Sequence, residues 1–245
     1  MVAHTAHAIQ TELRSQADQP KSLLLARFFK INPGGYAEGD VFLGITVPAT
    51  RLIVKKYARD ATLDDFEYLI QSRYHEERLT ALLILVYFAE HRRYPIEELA
   101  KEYLSHIQQV NNWDLVDQTS PQIIGPYVCD YMARDERKKF IDACITSGHL
   151  WTVRTIVLAS FHAIRNGDEK MIVSIASRLL NHKHDLIHKA VGWMLREMGK
   201  RVSEQALCSF LDDYAPCMPR TMLRYAIERL PEAKRLSYMR MKRVV

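Results

Sequence analysis

From residue 62 onward, apolar positions recur at helical spacing in short segments broken by polar turns. The pattern predicts helices over 62–71, 75–91, 95–107, 113–131, 135–146, 149–165, 169–180, 185–200, 203–212 and 219–230. Start signals agree. Thr62 stands three residues before Asp65, Ser203 precedes Glu-Gln-Ala-Leu, and Asn166-Gly167-Asp168 reads as a connection. Pro48, Pro95, Pro121 and Pro219 fall at or near first turns, where a missing N–H costs least. No segment sustains period-two alternation, so no sheet is expected.

The second helix of each apparent pair recurs. Arg78, Asp114, Trp151 and Ile187 fall at intervals of about 36 residues, a spacing that suits two-helix repeats. Leu79–Phe88, Trp151–Phe161, Leu186–Leu195 and Pro219–Leu230 then overlie one another as amphipathic inner helices. The expected fold is all-α: a helical-repeat solenoid with a concave surface, against an irregular helical bundle as the alternative. Two more helices are predicted near 4–17 and 20–30, followed by the Gly-rich loop Asn32–Pro48 with Tyr36 near its start. The chain reads as a single repeat domain over 1–245, with 1–47 as helical cap and loop and 48–245 as the repeats.

Composition narrows this little. Only 9 Gly and 9 Pro in 245 residues favour helices over a turn-rich β architecture. No apolar run approaches the roughly 18–20 residues of a membrane span, and the first residues lack the layout of a secretory signal, so a cytosolic, bacterial-type protein is expected. Cys129, Cys144, Cys208 and Cys217 are widely spaced in apolar surroundings and read as small packed hydrophobes rather than a disulfide or zinc framework. The net charge of +5 is placed unevenly. Lys and Arg balance Asp and Glu through residue 184, whereas residues 185–245 hold 12 against 7. That asymmetry suits a polyanion approached from one side.

Three constellations could carry chemistry. In Asn111-Asn112-Trp113-Asp114-Leu115-Val116-Asp117, Trp113 and Asp117 are one helical turn apart, offering an aromatic plane beside a carboxylate. That pair suits a planar cation, and the carboxylate could stabilise positive charge or orient water. Equally, Trp113 could pack between repeats while Asp114 or Asp117 stabilises a helix start. Arg154 is embedded among apolar residues and needs a carboxylate, a phosphate or solvent, so an ion pair and a phosphate clamp both stay open. Lys189, Trp193, Arg196 and Lys200 form one stripe, and a Trp inside a basic stripe suits a sugar–phosphate backbone. His182, His184 and His188 cluster, but the catalytic Glu of a helical zinc motif is missing, so a solvated turn is expected and no metal or other cofactor.

The segments Leu43–Pro48, Trp113–Asp117, Trp151–Arg154, Lys189–Glu197 and Pro219–Ala226 resemble, in order and spacing, the AlkD-like DNA alkylation repair family. The resemblance implies HEAT-like repeats curved around duplex DNA and an N-glycosylase that excises cationic N3- and N7-alkylated purines such as 3-methyladenine and 7-methylguanine. It places the family's catalytic Asp on Asp117, its DNA-facing tryptophans on Trp113 and Trp193, and its backbone-contacting Arg on Arg154; Lys189 and Arg196 flank Trp193. Two positions depart from the family pattern: Asn112, where an aromatic is common, and Val153, where a second Arg is common. The implied partner is alkylated duplex DNA bound by a monomer, with no membrane involved. A non-catalytic protein that binds bent or branched DNA is the second reading, and a protein-binding helical scaffold the third.

Overall fold

The computed structural model describes residues 4–242, and their helices follow the periodicity closely. The first seven are α1 (His4–Ser15), α2 (Gln19–Phe28), α3 (Val47–Tyr57), α4 (Leu63–Ile70), α5 (His75–Glu90), α6 (Ile96–Ser105) and α7 (Trp113–Asp117). The next eight are α8 (Ser120–Pro126), α9 (Arg134–Thr146), α10 (Leu150–Arg165), α11 (Lys170–Arg178), α12 (Asp185–Arg201), α13 (Glu204–Tyr214), α14 (Arg220–Ile227) and α15 (Glu232–Arg240). Among the described residues β-structure is limited to one isolated parallel bridge between Val41 and Tyr74. None of the helices is long and apolar enough to cross a membrane.

The expected continuous helix over 113–131 is corrected by the structure. It divides into α7, α8 and a π-helical turn over Tyr127–Tyr131. Proline explains the division. Pro121 and Pro126 lack the N–H that would bond one turn back, so the ladder cannot run through them undisturbed. Helix α15 falls outside the predicted set, because Tyr238 is its one buried side chain and leaves little apolar stripe to read. Helix α3, signalled only by Pro48 near its start, is also present.

The chain divides after Thr119 into two compact units. In the first, Ala6, Ile9 and Leu13 form the fully buried stripe of α1, which packs on α3 and α4. Asp65 ties these elements together. It completes a capping box with Thr62 at the start of α4 and accepts a hydrogen bond from the Ala6 N–H at 2.8 Å. Helix α5 is buried on nearly every side and packs against α3, α4, α6 and α7.

In the second unit, α8, α10, α12 and α14 pack in one row, each against the next. Helices α9 and α11 lie against α10, α11 and α13 against α12, and α15 against α14. Two layers of alternating helices result, the arrangement that a two-helix repeat produces. Close approach within the row depends on small residues. A Cβ at Gly192 would lie 2.4 Å from the Met222 carbonyl oxygen, and one at Gly125 would lie 2.5 Å from the His162 Cβ.

Candidate nucleic-acid interface and active site

Helix α7 is only one turn and a half long, too short to hold its own shape, so what surrounds it decides where Trp113 and Asp117 point. Asn112 precedes it in extended conformation and accepts a hydrogen bond from the Trp113 N–H at 2.8 Å. The residue that departs from the family's aromatic preference therefore serves as the helix cap. Trp113 and Asp117 are both half-buried and lie one turn apart on this helix.

Trp113 is anchored on the aromatic residues of the N-terminal segment. Its indole N–H donates to the Tyr36 hydroxyl at 3.0 Å. Its ring lies 5.0 Å from Phe29 and meets Phe28 edge-on at 5.8 Å, while Phe29 stacks on Phe42. Phe28 keeps 63% of its surface exposed and forms an open apolar edge beside the indole. The loop with Tyr36 thus fixes the plane of Trp113 from one side.

From below, α7 is held by the first turn of α5. His75, Glu76, Glu77 and Arg78 are all buried, and each faces different partners. The His75 Nε2 hydrogen-bonds Asp114 of α7 at 2.8 Å, and its Nδ1 faces Asp40 at 3.2 Å. Burial alone would lower the imidazole pKa, but the two carboxylates, Asp114 foremost, outweigh it and hold it at about 9. His75 is therefore a buried imidazolium at neutral pH, with each N–H donating to a carboxylate. Burial also works against ionised Asp40, yet hydrogen bonding to His75 and the charge of Arg78 hold its carboxyl below the ordinary carboxylate range.

The remaining residues of that turn extend the frame. Arg78 donates to Asp40 at 2.6 Å, to Asn111 at 3.0 Å and to the carbonyls of Ser72 and Gln109. Glu77 accepts from Arg14, Gln10 and Ser72, which brings α1 into the same network. Glu76 accepts three consecutive backbone N–H groups, those of Leu43, Gly44 and Ile45, at 2.8, 2.9 and 3.1 Å. Such a nest of amides neutralises a buried carboxylate without a counter-ion. It also explains the Leu43–Pro48 segment: Gly44 has φ +90°, and a Cβ there would lie 2.2 Å from the Asp18 carbonyl oxygen.

The other sequence-predicted residues belong to the second unit. Arg154, near the start of α10, is buried and donates to the Leu186 carbonyl at 2.6 Å, at the start of α12. Val153, where the family often has a second Arg, is buried as an apolar packing residue. Helix α12 carries the basic stripe. Lys189 pairs with Asp185 at 2.7 Å, Arg196 with Glu228 of the segment after α14, and Trp193 between them is half-buried. The adjacent Gly192 explains how α14 comes so close to this point of α12.

The histidine cluster organises its own turn. The His182 ring accepts from the His184 N–H, the His184 ring from the Leu186 N–H, and His188 contacts the His182 carbonyl. Among the described residues there is no group of three His, Cys, Asp or Glu side chains disposed to hold a metal ion.

The sequence pattern does not reveal His75, Asp40, Tyr36 or Phe28 as neighbours of α7. They lie between 39 and 85 residues away from Asp114 or Trp113 along the chain, and no local spacing connects them. One clue is present. Four consecutive charged or titratable residues, His-Glu-Glu-Arg, open a helix too apolar elsewhere to be a surface element.

A family model described as DNA alkylation repair enzyme matches residues 9–230. A solved structure described as a predicted DNA alkylation repair enzyme from Enterococcus faecalis is similar, with a TM-score of 0.71 and 16% identity over 89% of this chain and 98% of that one. At that identity the likeness establishes the shared helical fold. No curated protein matches the chain.

Proposed function

Because the chain belongs to the DNA alkylation repair enzyme family, we propose that it is a DNA N-glycosylase that releases cationic N3- and N7-alkylated purines from duplex DNA. The observation that carries this reading is the pairing of Trp113 and Asp117 on a short helix clamped by a buried network, which offers an aromatic face and a carboxylate at a fixed relative position.

The chemistry follows from charge. Alkylation at N3 or N7 places a positive charge on the purine, so the base leaves as a neutral molecule without protonation. As the C1′–N bond breaks, its electron pair goes to the base, and positive charge moves to the sugar. The Asp117 carboxylate stabilises that oxocarbenium character, and water adds at C1′ with loss of a proton, leaving an abasic site. Trp113 contributes a cation–π face for the lesion, worth roughly 0.5–2 kcal/mol according to desolvation. Trp193 supplies a second aromatic contact to the DNA, and Arg154 a phosphate contact.

Lys189 and Arg196 bind the backbone in the same reading. Asp185, the present partner of Lys189, is an exposed carboxylate, and such surface pairs contribute about 0–1 kcal/mol, so a phosphate can replace it at little cost. Binding then depends steeply on salt. A monomer suffices, and no cofactor enters the reaction.

The test is incubation of the purified chain with methylated duplex DNA, followed by chromatography of the released bases. Release of 7-methylguanine or 3-methyladenine supports the glycosylase. Salt-sensitive binding to branched DNA with no base release would replace it with a structural DNA binder, and neither behaviour would point to a protein scaffold.

A further inference from the structure

The second unit contains a cavity of about 700 Å³ that none of the candidate site residues lines. It opens between α9, α11 and the π-helical turn, and its size is that of a small-molecule site. Its rim is cationic. Arg134, Arg137 and Lys138 come from the first turns of α9, and Lys170 from the start of α11.

The acidic residues at the same cavity are already engaged. Asp142 pairs with Arg178 at 2.6 Å, Asp130 with His162 at 2.8 Å, and Asp168 accepts the Lys170 N–H at 2.8 Å. With Asp142 and Arg178 paired, Arg134, Arg137, Lys138 and Lys170 face a concave surface that Asp130 and Asp168 also line, so cations outnumber carboxylates there by two. Arg137 is held in place by donation to the Cys129 and Met132 carbonyls, which the π-helical turn presents, while its Nε is shielded from water and has no hydrogen-bond partner. A π-turn is a costly local irregularity and frequently accompanies a functional site.

Ile141, Ala163 and Met171, all buried, give the lining an apolar part beside the polar Asn166 and Ser174. Cys129 also lines it, but burial pushes its thiol up to about 11, so thiolate chemistry has no place here. A compact group of cations beside an apolar floor suits a ligand with an anionic head and a flat, weakly polar body.

The geometry points to a nucleotide site: Arg134, Arg137, Lys138 and Lys170 hold the phosphate, and the base lies against Met171 and Ile141. This is separate from the excision reaction, since neither Trp113 nor Asp117, nor any residue of the α12 stripe, lines the cavity.

Isothermal titration of the full chain with deoxyguanosine monophosphate tests it, alongside deoxyguanosine and inorganic phosphate. The expected result is one nucleotide per chain, with the nucleoside and the bare phosphate each at least tenfold weaker. The double variant Lys138→Met, Lys170→Met changes two exposed side chains and should weaken the nucleotide at least tenfold while leaving the melting temperature and duplex DNA binding unchanged. Nucleoside binding as tight as the nucleotide's, an affinity unaltered by the double variant, or no nucleotide binding at millimolar concentration would each overturn the assignment.

Discussion

The Nε2 of His75 lies 2.8 Å from the Asp114 carboxylate, and this contact fixes the short helix carrying Trp113 and Asp117 onto the first turn of α5. Both side chains are buried, so the pair holds only while the imidazole is charged. Its pKa is raised from 6.5 to about 9. The stability it contributes is therefore fully present below about pH 6.5 and is lost as pH rises through 9. At 1.36 kcal/mol per pKa unit the contribution is on the order of 3 kcal/mol. Denaturant melts of the native chain at pH 6.5 and 9 should differ by about that amount, and those of His75→Gln should differ far less. Equal pH dependence in the two proteins would show that His75 is not held as an imidazolium.

The hydrogen bond between the Trp113 indole and the Tyr36 hydroxyl gives a second expectation. Trp113→Phe and Tyr36→Phe each remove one side of it, and a double-mutant cycle should return a coupling energy of roughly 0.5–1.5 kcal/mol. If Tyr36 orients the indole for the lesion, Tyr36→Phe should also slow base release while leaving affinity for undamaged duplex unchanged. A coupling near zero would mean that the Phe28 and Phe29 rings position Trp113 by themselves.

Gly44 and Gly192 should resist substitution for different reasons. Gly44→Ala meets both the positive φ and the Asp18 carbonyl, and it opens the amide nest around the buried Glu76. A loss of about 3 kcal/mol or more is expected. Gly192→Ala needs α12 and α14 to separate and should cost roughly 1–3 kcal/mol. Thermal melting of both variants checks this, and a melting temperature within 1–2 °C of the parent, roughly the resolution of such a comparison, would rule out the close approach.

Much of the helical framework is legible in the chain because helices announce themselves locally. The Thr62–Asp65 capping box, the Ser203 cap and the i, i+4 pairing of Trp113 with Asp117 need no information from beyond one turn. What escapes such a reading is long-range or breaks a local rule. The division of 113–131 turns on two prolines inside an otherwise helical pattern, and α15 lacks an apolar stripe. The frame around α7 depends on four buried polar residues at the start of α5, and local periodicity assigns such residues to a surface. Arg154 illustrates the middle ground: its apolar neighbours show that it must find a partner, but only the fold supplies the Leu186 carbonyl.

The salt dependence of DNA binding separates the two roles proposed for charge. Replacing Lys189 or Arg196 with Met should weaken binding to damaged and undamaged duplex alike. The slope of log affinity against log salt should fall by about 1 for each phosphate that is no longer neutralised. Weakening confined to damaged DNA would assign these residues to the lesion instead of the backbone.

The most direct measurement is single-turnover release of 7-methylguanine and 3-methyladenine from methylated duplex DNA by the native chain and by Asp117→Asn. The amide keeps the shape of the side chain and removes its charge. Base release by the native chain should fall by at least a hundredfold in the variant while DNA affinity changes less than threefold, the outcome expected if the carboxylate acts mainly on the transition state. Undiminished release by Asp117→Asn would contradict the assignment of this carboxylate to catalysis.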